Sequence, residues 1–192
     1  MTTQILLNDL KKWVEEKFCA PVKFKLPADE KTDHTYNYEL VTPAAFVMFT
    51  PRDNQLPAGV KDSTPSVTIE WLSDEESPQE HKTTANIRLR LAIWSPGQHS
   101  QDIIDANIEN LTFTRDALGW QDMINWIDLI KRELRNNDII CNKYRVKLED
   151  KVKSGFVSEQ GTILDFGAYF FGYVEFMVEY SNAQAKSFLN LL

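Results

Sequence analysis

The sequence predicts an α+β protein in which a mostly antiparallel sheet carries two long helices packed on one face. Apolar residues recur every three or four positions over residues 5–18 and again over 120–136, which is the period of an amphipathic helix. Between and after these stretches, several segments alternate apolar and polar residues, as half-buried strands do. Because successive strands follow one another without an intervening helix, the order favours α+β over repeated βαβ units.

The first predicted helix is amphipathic and has recognisable ends. Thr2 or Thr3 is suited to cap its N-terminus, and Pro21 marks its end. We expect Trp13 to lie on the buried face, among residues spaced to share one side of the helix. That face consists of Ile5, Leu6, Leu10, Trp13, Val14 and Phe18.

Segments with a two-residue period predict the strands. The clearest is residues 86–94, where four aliphatic residues alternate with polar or small ones, and Arg88 and Arg90 share the second face. In the segment 22–26 the alternation places Lys25 on the solvent side of a half-buried strand. The remaining predicted strands are residues 36–40, 44–49, 67–71, 144–148 and 173–180.

The second long helix is predicted over residues 120–136. Trp120 and Trp126 are six positions apart, so they cannot belong to one helical stripe. Trp120 is assigned to the core, which leaves Trp126 as a candidate exposed anchor for a partner. The inward face is predicted to hold Trp120, Met123, Ile124, Ile127, Ile130 and Leu134.

One domain is expected to span residues 1–180, followed by a C-terminal arm or short helix over 181–192. Long loops are predicted at 51–65, which contains three prolines, at 73–82, which is acidic, and at 98–118. Within the last of these loops, the stretch QDIIDANIENL has the spacing of a short helix.

Composition excludes several function classes. A chain of 192 residues suits a single domain, and its net charge of −7 argues against non-specific binding to nucleic acid or to an anionic membrane. No apolar run approaches the roughly 20 residues of a membrane span, and no signal peptide is recognised. We therefore expect a soluble protein made in the cytoplasm, with Cys19 and Cys141 as core-lining thiols.

The sequence contains no recognisable catalytic or cofactor-binding pattern. Histidines and cysteines do not occur at the spacings of a metal site, no serine lies in a nucleophile-elbow motif, and no glycine-rich loop precedes a helix. We therefore predict no catalytic residue, no cofactor, no bound metal and no enzymatic activity. Arg88 and Arg90 are candidates for ionic contacts with a second subunit, together with Trp126.

The segments IRLRLAIW, GWQDMINWIDLIKREL, NKYRVKL and YFFGYVEFMVEY occur in this order along the chain, and together they resemble small proteins of phage and prophage tail morphogenesis. The helix segment is similar to a "G(Y/W)QD(L/M)LN" pattern, from which Ile124 departs, and the last strand is similar to a "(Y/F)(Y/W)FG" pattern, from which Phe170 departs. The likeness covers residues 86–180. The corresponding helix positions are Gly119, Trp120, Gln121, Asp122, Met123, Ile124, Asn125, Ile127, Ile130 and Leu134. Those of the last strand are Tyr169, Phe170, Phe171, Gly172, Val174, Phe176 and Val178.

The order of elements is also similar to that of the tail-terminator class, and this resemblance implies a function. Such proteins form homo-oligomeric rings, often hexameric, that cap the tail tube and join it to the head. The resemblance thus implies a structural virion protein whose partners are its own copies, tail-tube proteins and head–tail connector proteins. It would reside in the virion tail after synthesis in the bacterial host cytoplasm, without a membrane or a specific nucleic acid as partner.

Three alternatives remain open on the sequence. The first is another neck or minor tail protein. The second is a monomeric protein-binding module that uses the segment 98–118 as its contact surface. The third is an enzyme whose carboxylates are too scattered to recognise from the sequence.

Overall fold

A computed structural model describes residues 2–27, 39–96, 98–99, 113–114, 118–160, 162–164 and 168–181. Within these ranges it contains two α-helices, α1 (Thr3–Val14) and α2 (Trp120–Asn136). The first strands are β1 (Phe24–Lys25), β2 (Leu40–Val41), β3 (Ala44–Val47), β4 (Ser66–Ser77), β5 (Lys82–Trp94), β6 (Gln98–His99) and β7 (Phe113–Thr114). They are followed by β8 (Ile139–Ile140), β9 (Tyr144–Val146), β10 (Lys153–Phe156), β11 (Ser158–Glu159), β12 (Thr162–Ile163) and β13 (Tyr169–Ser181).

The main sheet has the order β3-β4-β5-β13-β9-β8, and β10 also pairs with β13. Its central pair is β5 with β13, which run antiparallel over their whole length, from Lys82 opposite Ser181 to Trp94 opposite Tyr169. The pair β3–β4 is parallel, and the other pairs are antiparallel. The predicted mixed α+β class with a mostly antiparallel sheet is confirmed.

Alternation along the central strands decides which face of the sheet is buried. In β5 the residues Ala85, Ile87, Leu89, Leu91 and Ile93 are buried, while the residues between them are partly exposed. Val174, Phe176 and Val178 of β13 lie opposite three of them. This face joins the buried residues of α1 and α2 in one hydrophobic cluster, in which α1 contacts β3 and β4 and α2 contacts β13.

Helix α1 begins and ends close to the predicted positions. The Thr2 hydroxyl accepts a hydrogen bond from the Ile5 amide (3.4 Å), so Thr2 is the cap. The helix continues as a π-helical turn over Glu15–Cys19. The prediction that Trp13 is buried is confirmed, and its ring meets that of Phe18 edge-on at 4.6 Å.

The predicted acidic loop at residues 73–82 is wrong. Strand β4 continues through Ser77, a turn follows, and β5 begins at Lys82, so the segment is the end of a β-hairpin. A register shift between Trp71 and Ser73 marks the point where the hairpin leaves the core. Beyond it, the side chains of residues 72–76 are all exposed. A strand that is exposed to solvent on both faces has no alternation of apolar and polar residues from which the sequence could predict it.

Other expectations concern segments of which little is described. The sequence predicts a short helix within 98–118, but residues 101–112 lie outside the described part of the chain. On either side of residues 101–112, β6 and β7 pair with each other. The proposed arm at 181–192 also lies outside it, apart from Ser181. In the predicted loop at 51–65, a short 3-10 turn forms at Asp53–Gln55.

Two glycines allow α2 to lie close to the sheet. A Cβ atom at Gly172 of β13 would be 2.7 Å from Met123 Sδ and 3.2 Å from Ile127 Cδ1. At Gly119, which precedes α2, a Cβ atom would overlap the carbonyl oxygen of Ser95, the residue that follows β5. Because a backbone oxygen cannot swing aside as a methionine tip can, Gly119 is the stricter requirement.

We therefore expect Gly119→Ala to lower the free energy of unfolding by about 1–3 kcal/mol, because the added methyl group must push α2 away from β5. Gly155→Ala is the matched control, since its Cβ atom would meet nothing closer than 3.8 Å. That variant should stay within about 1 kcal/mol of the wild type. Urea unfolding followed by tryptophan fluorescence measures both, and equal effects would contradict the close contact at Gly119.

Candidate functional site

Three polar side chains meet inside the protein where α2 begins. Lys25 comes from β1, Ser95 directly follows β5, and Asp122 lies in the first turn of α2. Their relative exposures are 2%, 3% and 7%. We call these three residues the polar junction.

Short contacts connect the polar junction. The Lys25 ammonium donates to Ser95 Oγ at 2.9 Å, and the Ser95 hydroxyl donates to Asp122 Oδ2 at 2.7 Å. Lys25 Nζ lies 3.6 Å from the same carboxylate oxygen. Asp122 also lies near the positive end of the α2 dipole, which favours a negative charge there.

The local sequence explains how these residues meet. Gly119 lets the backbone of α2 approach Ser95, which places the helical position three residues later beside the Ser95 hydroxyl. Lys25 follows Phe24, whose ring packs 4.7 Å from that of Trp126. The prediction that Lys25 faces solvent is therefore wrong: β1 is covered on both sides, and a buried acid compensates the charge of the lysine.

A serine hydroxyl that lies between a lysine and a carboxylate has the groups around it that could activate it as a nucleophile. Here, however, the Ser95 hydroxyl donates its proton to Asp122 and accepts a hydrogen bond from Lys25, so the groups satisfy one another. All three side chains are also nearly inaccessible to solvent. The arrangement suits a structural tie between β1, β5 and α2.

We expect Lys25→Met and Asp122→Leu each to destabilise the protein by about 3–5 kcal/mol, because each removes one member of a buried ion pair and leaves the charge of the other in place. The double variant should be more stable than either single variant, since it removes both charges together. A double-mutant cycle by chemical denaturation measures this coupling. Strictly additive losses would mean that the two residues do not form a buried pair.

The opposite face of the sheet carries the two arginines predicted as subunit contacts. As expected, Arg88 and Arg90 share one face, and each side chain is about two-fifths exposed (39% and 42%). Each is also paired within its own chain: Arg88 Nη2 lies 3.0 Å from Glu175, and Arg90 Nε lies 3.0 Å from Glu70. Contact between subunits through these arginines remains a prediction.

Glu175 is the centre of the charge cluster on this face. Its carboxylate accepts hydrogen bonds from Arg88, Asn86 and Lys153, at 3.0–3.4 Å. Burial tends to raise the pKa of Glu175, but the hydrogen bonds from Arg88 and Asn86 and the charge of Lys153 outweigh burial, so the pKa is lowered. Arg88 also lies over the ring of Tyr173, 5.7 Å from its centroid.

The lowered pKa of Glu175 predicts a pH dependence of stability. Its contribution is fully present above the unfolded-state pKa near 4.5 and is lost as the pH falls through the lower pKa of the folded state. Glu175→Gln should therefore lower stability at pH 7 and flatten its decrease in acid. Glu159→Gln, at an exposed position of β11, is the control and should leave the curve unchanged. Unfolding measured from pH 7 to pH 3 would contradict this role if both variants behaved alike.

The two tryptophans of α2 occupy environments opposite to those predicted. Trp126 is 1% exposed, and its indole nitrogen donates to the Phe18 carbonyl at 2.9 Å, whereas Trp120 is 38% exposed. The buried stripe is displaced toward Asp122 and Trp126 because Phe18, Phe24 and the polar junction cover that side of the helix. Ile124, expected inside, is correspondingly 36% exposed. A side chain buried within its own chain cannot be an exposed anchor, so Trp126 is withdrawn as a subunit contact.

The two cysteines are free. Cys19 is buried, and burial raises the pKa of its thiol to about 12, whereas Cys141 is only half-buried. The expectation of two core-lining thiols is therefore met fully by Cys19 and in part by Cys141. At neutral pH the Cys19 thiol is protonated and out of reach, which does not suit a nucleophile.

In the part of the chain that the structure describes, no three His, Cys, Asp or Glu side chains come together as a metal site. Nor does any described helix have the length and apolar character needed to cross a membrane. No family model matches the sequence, and a comparison with curated proteins finds no match. Over the described ranges the protein belongs to a mixed class of helices and strands: it is mostly strands, with two α-helices and a main sheet dominated by antiparallel pairs.

Proposed function

We propose that this protein is a non-catalytic structural subunit of a phage or prophage tail. Its role would be that of a tail terminator or completion protein, which assembles as a homo-oligomeric ring at the end of the tail tube. Its partners would be its own copies, tail-tube proteins and head–tail connector proteins. It would be made in the bacterial host cytoplasm and reside in the virion tail, with neither a membrane nor a specific nucleic acid as partner.

The observation that carries the proposal is the position of the residues that resemble the tail family. Gly119 and Asp122 form the start of α2 against β5, and Gly172 lies where α2 crosses β13. The resemblance therefore includes three residues that determine how helix and sheet fit together, in addition to apolar positions. Such residues support a shared architecture more strongly than similarity of core composition would.

The finer architecture of that class is part of the proposal. We infer that α1 and α2 lie on the same face of the sheet, because both contribute to the cluster that includes the buried face of β5. The other face carries Arg88, Arg90, Tyr173 and Glu175. A layer of helices on one side and a charged, partly exposed sheet on the other leaves a broad surface for neighbouring subunits.

The chemistry of the polar junction also favours a structural role. Its three side chains satisfy one another's hydrogen bonds and are nearly inaccessible to solvent, which suits a structural contact better than a reactive centre. Among the alternatives, another neck or minor tail protein would likewise need no reactive centre. A monomeric binding module differs in one measurable property, because it would not associate with itself.

We expect the purified protein to be a monomer or weak oligomer in dilute solution and to convert to a ring at high concentration or on isolated tail tubes. Light scattering across a concentration series measures the mass, and electron microscopy of tubes incubated with the protein shows whether their ends are capped. If neither self-association nor tube binding occurs, the terminator proposal fails in favour of the binding module.

The arginine contacts can be examined in the same assay. Arg88→Gln with Arg90→Gln removes two charges from the open face of the sheet, and Arg132→Gln with Arg135→Gln removes two from the exposed side of α2 as a control. If the first pair contacts a neighbour, only its replacement weakens ring formation. Because Arg88 and Arg90 also pair with Glu175 and Glu70, their loss should in addition lower the stability of the monomer slightly.

A further inference from the structure

We propose that a second copy of this chain docks laterally against the sheet, so that an acidic edge of one copy meets a basic edge of the next. That copies of the chain associate at all rests on the proposed function; what is new is the surface through which they would do so. The two edges are different parts of the same sheet, so the contact is head-to-tail. Such contacts close into rings when the rotation between copies permits.

The acidic edge is the outer part of the β4–β5 hairpin, residues 72–80, which we call the acidic arm. It holds four carboxylates and no lysine or arginine: Asp74, Glu75, Glu76 and Glu80. Strand β3 pairs with β4 only as far as Ile69, so among the described strands Asp74 and Glu75 pair with β5 alone. An open strand edge is a ready site for another chain.

The basic edge is residues 139–153, on the opposite side of the sheet. It holds five basic and two acidic residues, a net charge of +3: Lys143, Arg145, Lys147, Lys151 and Lys153 against Glu149 and Asp150. Three of the lysines are paired within the chain, with Asp9, Asp150 and Glu175. Arg145 and Lys151 are exposed and make no ion pair with the described residues, so their charges are available to a neighbour.

The two edges are level with one another. Glu75 lies opposite Thr84, Thr84 opposite Glu179, Glu179 opposite Arg145, and Arg145 opposite Ile139, so one row of partners crosses the whole sheet. Within one subunit the strands β5 and β13 separate the acidic arm from the basic edge. A neighbour that continues the sheet sideways therefore brings its acidic arm beside Ile139 of the edge strand β8, with Arg145 one strand further in.

Exposed apolar residues border both edges. Ile139, at the end of β8, is 56% exposed. On the other edge Leu72 is 38% exposed, and Phe49, just beyond β3, is 65% exposed. Apolar contact adds affinity to such an interface, while the opposite charges fix its orientation and exclude contacts between like edges.

Charge reversal on one edge at a time tests the inference. The arm variant is Asp74→Lys with Glu75→Lys, and the edge variant is Arg145→Glu with Lys151→Glu. Each alone should weaken self-association by more than about tenfold, because like charges would then face each other across the interface. An equimolar mixture should recover it, since each variant then offers the edge that the other lacks. Asp53→Lys with Glu159→Lys, at two exposed positions elsewhere, is the control for net charge.

Sedimentation velocity at high protein concentration and low salt measures the association of each sample. Thermal unfolding checks that each variant is folded, and Asp74→Asn with Glu75→Gln replaces the arm variant if it is not; its expected result is a smaller loss of association. Recovery in the mixture, with an unaffected control, supports the proposed contact. Reversed variants that associate as the wild type does would overturn it while leaving the ring proposal intact. A wild type that never associates would overturn both.

Discussion

The close approach of α2 to the end of β5 is the constraint on which the rest of the structure depends. It requires a residue without a side chain at Gly119, because the Ser95 carbonyl occupies the space of a Cβ atom. It also requires that Asp122, which this approach buries, find partners in Ser95 and Lys25. With the start of the helix fixed in this way, its axis passes over Gly172, where a second absent side chain admits Met123 and Ile127.

The elements that the sequence predicted well are those that bury one side. Helix α2 and strands β5 and β13 each bury one side and leave the other at least partly accessible along most of its length, so their period is visible in the sequence. The acidic arm was missed because a strand exposed on both faces has no period at all. The sequence did not predict the burial of Lys25, because the carboxylate that compensates its charge belongs to Asp122, almost a hundred positions later. The predicted environments of Trp120 and Trp126 were the reverse of the observed ones, because Phe18 and Phe24 decide which side of α2 is covered.

The candidate contact residues show the same division between local and distant information. That Arg88 and Arg90 share a face follows from the two-residue period of a strand, and the sequence predicted it. That Glu175 and Glu70 neutralise them depends on strand order, which the sequence did not reveal. Strand order likewise places the acidic arm and the basic edge on opposite sides of one sheet. A chain with a net charge of −7 thus carries an acidic and a basic surface on opposite sides of one sheet, which is what the proposed contact between copies requires.

Native-state hydrogen exchange tests most directly whether the junction at Gly119 holds helix and sheet together as one unit. If it does, the amides in the middle of α2 and those of β5 and β13 exchange with the same opening free energy, and the Trp126 indole proton, bound to the Phe18 carbonyl, exchanges with them. Exchange of α2 at a clearly lower free energy, with the β5–β13 pair still protected, would contradict the account. Helix α2 would then unfold independently of the sheet, and the contact at Gly119 would not couple the two.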